Sequence, residues 1–260
     1  MKIRTLMENT ACRGDFYAEH GLSLYIEVGG HRILFDAGQS GHFADNGKKL
    51  GVNLKSADAA VLSHGHYDHG GGLVRFSEEN RTAPIYLSRY AFEPHFNGFG
   101  RDIGLNPELL PSNRLVFVEG EQEIAPDIVL YSCNKSELFY PINPFGQTAG
   151  AGRNAEDYRH ELYLLAEENG KRVLFSGCSH KGILNLVRRF RPDVVVGGFH
   201  LMKTDPKSQG AVLEKIAAEL MAGNTVYYTG HCTGQAQFAF LKERMGNRLH
   251  ALSAGMTLEI

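Results

Sequence analysis

The sequence predicts an α/β fold whose strand ends converge on a metal site, and three observations carry that expectation. The first is the stretch Val61-Leu-Ser-His64-Gly-His66-Tyr-Asp68-His69-Gly-Gly-Gly-Leu73. It follows a short apolar run that reads as the end of a buried strand, and its glycines allow a tight turn into a helix. The second is a pair of hairpin patterns, each followed by a strand end with metal-type residues. The third is regular strand–helix alternation in the last third of the chain, where three successive strands end in histidine-bearing turns.

Residues 22–28 and 31–35 alternate around Gly29-Gly30, a strong hairpin signal. The second strand ends at Asp36-Ala-Gly38, and Ser40 suits the cap of a helix with Phe43 and Leu50 inward. After the histidine stretch, residues 83–87 read as a short strand. Residues 88–112 then form an irregular segment carrying Phe92, His95, Phe96, Phe99, Arg101 and Pro107. Its aromatic content suits a wall or lid over the site, because long loops in compact domains are usually functional. Residues 114–118 and 128–133 read as strands. Residues 134–158, with Phe139, Tyr140 and Phe145, suit an opposite wall or a face for a partner subunit.

Residues 161–166 and 171–175 flank Asn169-Gly170, a second hairpin, and so give a weak internal repeat. Ser176-Gly-Cys178-Ser-His180 leads into a helix over 183–189. Residues 193–197 are an apolar strand ending at His200. Residues 208–222 are an amphipathic helix with Val212, Ile216 and Leu220 inward. Residues 225–228 end at Gly230-His231-Cys-Thr-Gly234, a helix covers 235–245, and one last strand spans 250–260.

Composition narrows the function classes. A single domain over 1–260 is expected, with 43% hydrophobic residues to fill its core. A net charge of -2 with dispersed basic residues argues against nucleic acid as partner. No apolar run approaches the ~20 residues of a membrane helix, and residues 1–10 do not read as a signal peptide. Four cysteines without close spacing suit a reducing, cytoplasmic setting. A homodimer is compatible with these features.

His64 and His66, two apart, face the same side of an extended segment, and Asp68 and His69 follow on the turn. Imidazole and carboxylate suit zinc and similar divalent ions. This stretch resembles the His-x-His-x-Asp-His signature of the metallo-β-lactamase superfamily. The resemblance extends to His31-Arg-Ile-Leu-Phe-Asp36-Ala-Gly38, Ser176-Gly-Cys178-Ser-His180 and Gly230-His231-Cys-Thr-Gly234. With Glu19-His20-Gly-Leu-Ser, these motifs look like the branch of metal-dependent hydrolases related to the archaeal dihydropterin–ribofuranosylaminobenzene phosphate synthase.

The resemblance implies a four-layer αββα sandwich of two mixed sheets flanked by helices. It implies two divalent ions, expected to be Zn2+ with Mn2+, Fe2+ or Mg2+ as alternatives. One would take His64, His66 and a later residue, the other Asp68, His69 and His231. Many members carry a bridging aspartate at the middle position. Here His180 is the favoured ligand and Cys178 the alternative, and without a carboxylate water or hydroxide would hold the ions together. Asp36 is a candidate acceptor for a metal-bound histidine, or a plain turn aspartate. His20 and His200 stand between a site role and plain packing, while His42, His160 and His250 read as structural or exposed.

The implied activity is that of a metal-dependent hydrolase or transferase, in which a metal-bound hydroxide at a dinuclear site attacks a phosphorylated, anionic small molecule, pterin-like in shape. Asp68 and His200 are the candidate catalytic groups, and His95, Arg101 and Lys181 the candidate substrate contacts. Two other readings fit the residues. One is a metal-binding sensor or scaffold without catalysis. The other is a di-iron oxidoreductase, disfavoured because such members carry Glu where this chain has His66 and bring a flavin domain.

Overall fold

The computed structural model describes residues 1–106, 108 and 110–260; Pro107, counted above in the first irregular segment, lies outside them. The chain begins with β1 (Lys2–Met7), β2 (Ser23–Val28), β3 (His31–Phe35), α1 (His42–Lys49) and β4 (Ala59–Val61). It continues through α2 (Tyr67–Gly70), α3 (Leu73–Glu79), β5 (Ile85–Ser88), β6 (His95–Phe96) and β7 (Leu115–Val118). The second half starts with β8 (Glu121–Ala125), β9 (Ile128–Tyr131), β10 (Thr148–Ala149), β11 (Asn154–Ala155), β12 (Tyr163–Glu168) and β13 (Lys171–Ser176). It ends with α4 (Ile183–Phe190), β14 (Val194–Gly197), α5 (Gly210–Met221), β15 (Val226–Thr229), α6 (Gln235–Met245), β16 (Leu249–Ala251) and β17 (Thr257–Glu259).

Two seven-stranded sheets result, in the orders β17-β1-β2-β3-β4-β5-β7 and β16-β15-β14-β13-β12-β9-β8. Each has an antiparallel hairpin that hands over to a parallel run. In the first, β2 and β3 pair antiparallel, and β3, β4, β5 and β7 run parallel. In the second, β12 and β13 pair antiparallel, and β13 to β16 run parallel. Both hairpin turns hold two residues at positive φ, Gly29-Gly30 and Asn169-Gly170, as tight two-residue turns require.

Strand alternation then dictates the layers. Ile33 and Phe35 of β3 face Val173 and Phe175 of β13 in the core between the sheets. Leu34 turns the other way, onto Phe43 of α1 and Phe76 of α3. Leu174 likewise turns onto Ile183, Leu213 and Leu241 of α4, α5 and α6. Helices therefore cover the outer face of each sheet, which makes the expected αββα sandwich. Each fully buried Leu, Ile or Phe contributes about 1.5–3 kcal/mol.

Three element-level expectations change. β1 and β8 lie where no strand was expected, because their residues mix charged and apolar types without a clean period. The final strand is two strands: β16 pairs with β15, whereas β17 crosses to the other sheet and pairs with β1. The α5 face is Leu213, Ala217 and Leu220, and Val212 is 50% exposed. Adjacent apolar residues at 212 and 213 made that pattern ambiguous by one position. No described helix is long and apolar enough to cross a membrane.

Candidate metal centre

The histidines gather where the parallel strands of both sheets end, the usual place for a ligand in an α/β sheet. Asp36 follows β3, His64 follows β4, Cys178 and His180 follow β13, His200 follows β14 and His231 follows β15. His66, Asp68 and His69 come from the glycine-flanked turn and α2. Asp36, Ser179, His200 and His231 all hold positive φ, between 47° and 58°. Such conformations cost of order 1–3 kcal/mol each and persist where the surroundings over-determine them. The two halves meet closely at Gly177: a Cβ there would stand 2.1 Å from Ser63 Oγ.

Most outer ring nitrogens have a partner, and the partners set the tautomers. Asp36, fully buried, accepts from His69 Nδ1 (2.7 Å), from the Ser63 amide (2.7 Å) and from Ser63 Oγ (2.7 Å). Ser63 Oγ in turn accepts from His64 Nδ1 at 2.8 Å. His231 Nδ1 donates to Asn9 Oδ1 at 2.9 Å. The Nε2 lone pairs of His64, His69 and His231 thus turn inward. His69 Nε2 stands 3.1 Å from His231 Nε2, and His64 Nε2 stands 3.3 Å from His180 Nε2. Facing lone pairs at such distances repel unless a cation or a proton lies between them. His66 Nε2 and His180 Nδ1 are buried without a partner. The donor set, imidazoles with one carboxylate and one thiol, is that of borderline divalent ions.

Electrostatics suit the same use. Burial, reinforced by neighbouring histidines, pushes His64 and His180 well below the usual imidazole range. Burial lowers His66 to about 3 and His231 to about 4, so their rings are neutral near pH 7. Burial alone would raise Asp68, but His69, His20 and His231 hold it well below the usual carboxylate range. Its Oδ2 lies 3.2 Å from His231 Nε2 and 3.2 Å from His20 Nε2. His69 is pulled down by burial yet raised on balance by Asp36 and Asp68.

All six expected metal residues, His64, His66, Asp68, His69, His180 and His231, are brought to one place. So is Cys178, whose Sγ lies 3.2 Å from His69 Nε2. His200 joins them, its ring centroid 4.1 Å from that of His180. The expected substrate contacts separate. Arg101 is exposed and lines a cleft with Tyr67 and Phe92. His95 is 1% exposed and donates to Glu156 Oε2 at 2.9 Å, which places it inside the protein behind His66. Lys181 is 6% exposed, its Nζ donating to the Tyr158 carbonyl. Neither therefore faces open space, since each is spent on an internal partner.

Other residues escaped sequence reasoning. His160, read there as structural or exposed, is buried against His66 and His95, and with Glu156 they form a second His-rich cluster. Its Nδ1 accepts from the Gly65 amide at 2.9 Å, steadying the turn between His64 and His66. Glu161 accepts from the His180 amide (2.8 Å) and the Lys181 amide (3.0 Å), and Glu8 from the His231 amide (2.5 Å). Asn9, Glu8 and Glu161 are ordinary polar residues in sequence; only the fold brings them to the turns that carry His180 and His231. His42 and His250 stay away from the site, stacked on Tyr17 and Tyr228.

Beside His180 and His200 a cavity of about 280 Å³ opens, walled by Tyr140, Ile142, Phe145 and Val212. Residues 134–158 thus contribute one wall of it. Lys203 stands beside that wall, its Nζ 3.4 Å from the Phe145 carbonyl oxygen.

Comparisons with known proteins fit this geometry. The Metallo-beta-lactamase superfamily profile matches residues 17–132. The 7,8-dihydropterin-6-methyl-4-(beta-D-ribofuranosyl)-aminobenzene-5'-phosphate synthase of Methanocaldococcus jannaschii is 31% identical over 289 aligned positions, covering 96% of this chain and 95% of the synthase. A solved metal-dependent hydrolase of the beta-lactamase superfamily superposes with a TM-score of 0.81 at 28% identity, over 100% of this chain and 99% of its own. The Zn2+-bound PqqB of Methylobacterium extorquens shares the fold, with a TM-score of 0.58 at 13% identity over the full length of both chains.

Proposed function

The chain belongs to the metallo-β-lactamase superfamily, and from that premise we propose that it is a metal-dependent hydrolase or transferase acting on a small phosphorylated molecule with a flat ring, pterin-like in shape. The observation that carries this reading is the opening of an aromatic-walled cavity directly beside the histidine cluster. His64, His66 and His180 would hold one divalent ion, and Asp68, His69 and His231 the other. Ions held there would supply Lewis acidity and lower the pKa of a water to about 7.

The protein's own groups divide the remaining work. Tyr140 and Phe145 stack on the substrate ring and exclude water from one side of the site. Lys203, exposed beside the Phe145 wall of the cavity, takes over the anion contact that Lys181 is placed too deep to make. Asp68, ionised, orients the attacking water through a carboxylate oxygen. His200 acts at the leaving group. Burial, Lys203 and His231 lower it to about 4, so near pH 7 it is neutral. It then serves as a hydrogen-bond donor to the leaving oxygen rather than as an imidazolium acid.

Turnover of a generic phosphodiester by the metal-loaded protein, with and without chelator, tests the proposal. Expected is turnover that chelator removes, that added metal restores, and that His66→Ala abolishes. A protein holding two ions without turning over any phosphoester would be a sensor or scaffold, and the proposal would be wrong. Activity that survives His66→Ala would place the chemistry elsewhere.

A further inference from the structure

Two cation positions need something to hold them together, and the expected carboxylate is absent from the middle position of this chain. Cys178 stands in its place. Among the described residues it belongs to two triads, His64–Cys178–His180 and His69–Cys178–His231, within each of which the ligand atoms lie within 4.8 Å of one another. The first triad holds two of the residues assigned to the first ion, His64 and His180, and the second holds two of those assigned to the second, His69 and His231. The thiol is 3% exposed and free of any disulfide. The nearest rival thiol, Cys232, has another task. It donates to the Cys178 carbonyl at 3.5 Å and accepts from the His200 amide at 3.3 Å, so it braces the turn. It belongs to none of the ligand groups.

Resting on the two-ion reading above, we propose that Cys178 is a shared ligand: its sulfur binds both ions at once, and His180 is a terminal ligand of the first. A thiolate carries enough lone pairs for two bonds, and as the ions bind the thiol proton leaves to solvent. The choice between Cys178 and His180 thereby disappears, because both serve. The metal is also narrowed. A soft sulfur at the centre selects Zn2+, Fe2+ or Co2+ over Mg2+ and Mn2+.

Titration of the chelator-stripped protein with Co2+ tests this. Thiolate-to-cobalt charge-transfer absorption is read beside the ligand-field bands, which report total binding. Expected is charge-transfer intensity that grows through both equivalents. Cys178→Ser should abolish it and weaken the second equivalent about ten-fold or more, whereas Cys232→Ser should keep it. Cys178→Asp should bind two ions without the band, since a carboxylate can also bridge, and its circular dichroism checks that the fold survives. A band complete at one equivalent would make Cys178 a terminal ligand and overturn sharing. Two bound Co2+ ions without any band would remove Cys178 from the site while leaving the two-ion reading intact. Failure to bind Co2+ at all would overturn both.

Discussion

Asp36 illustrates how much one side chain can settle. It accepts from His69 directly and from His64 through Ser63, so it fixes the tautomers of two candidate ligands. Asp36→Asn should keep the fold and lower metal affinity by about 10–100-fold, the usual effect of removing such a partner, read by competition with a chelating dye. Unchanged affinity would reduce Asp36 to a turn residue. Lys203→Ala should lower kcat/KM for a phosphorylated substrate by about 10–100-fold, the value of a hydrogen bond from a charged donor, and leave metal content unchanged. The histidines also predict a pH dependence for the metal-free protein. His66 and His231 have folded values of about 3 and about 4, below their ordinary 6.5. The unfolded chain therefore binds protons that the folded chain refuses. Stability should be full above pH ~6.5 and fall as the pH drops toward ~4, by about 1.4 kcal/mol per unit for each group. Urea midpoints that do not shift between pH 7.5 and 5 would contradict this. At this scale the sequence was most legible where chemistry concentrated, at the histidine stretch. It was least legible at His95 and Lys181, because residue type does not reveal whether a side chain is already spent on an internal partner.

Elements show the same division. Both hairpins, the parallel strands and helices α4 and α6 were readable, because alternation and helical spacing are local signals. Strands β1 and β8 and the split into β16 and β17 were not, because pairing partners lie far away in sequence: β17 pairs with β1, at the other end of the chain. Residues 88–112 and 134–158 were recognised as irregular, but not that Thr148 and Ala149 pair with Phe96 and His95 to tie the two segments together. The turn that carries His64 and His66 depends on Gly65, where a Cβ would stand 2.0 Å from the Ala91 carbonyl oxygen. Backbone cannot yield as a flexible side chain does. Gly65→Ala should therefore displace the turn, lowering the thermal midpoint and metal affinity together. A variant with native affinity would show that the two histidines are held by something other than this close approach.

The whole molecule is two similar halves facing each other, and each half supplies candidate ligands the other lacks. His64, His66, Asp68 and His69 come from the first half, Cys178, His180 and His231 from the second. The core between the sheets holds those halves in register. Phe35 and Phe175 pack across it with ring centroids 6.1 Å apart, both fully buried. Phe35→Ala should cost about 3–5 kcal/mol in denaturant unfolding, the usual range for a buried aromatic. A much smaller loss would mean that the sheets are held mainly by their outer helices. The four-layer architecture was expected from the motif resemblance, and the strand faces now explain it. The claim that joins all scales is that both halves together hold two divalent ions. Anomalous diffraction from crystals of the zinc-loaded protein, recorded at the zinc edge, tests it most directly. The account predicts two peaks, one among His64, His66 and His180 and the other among Asp68, His69 and His231. No peak within this cluster, or a single peak served by one half alone, would contradict it.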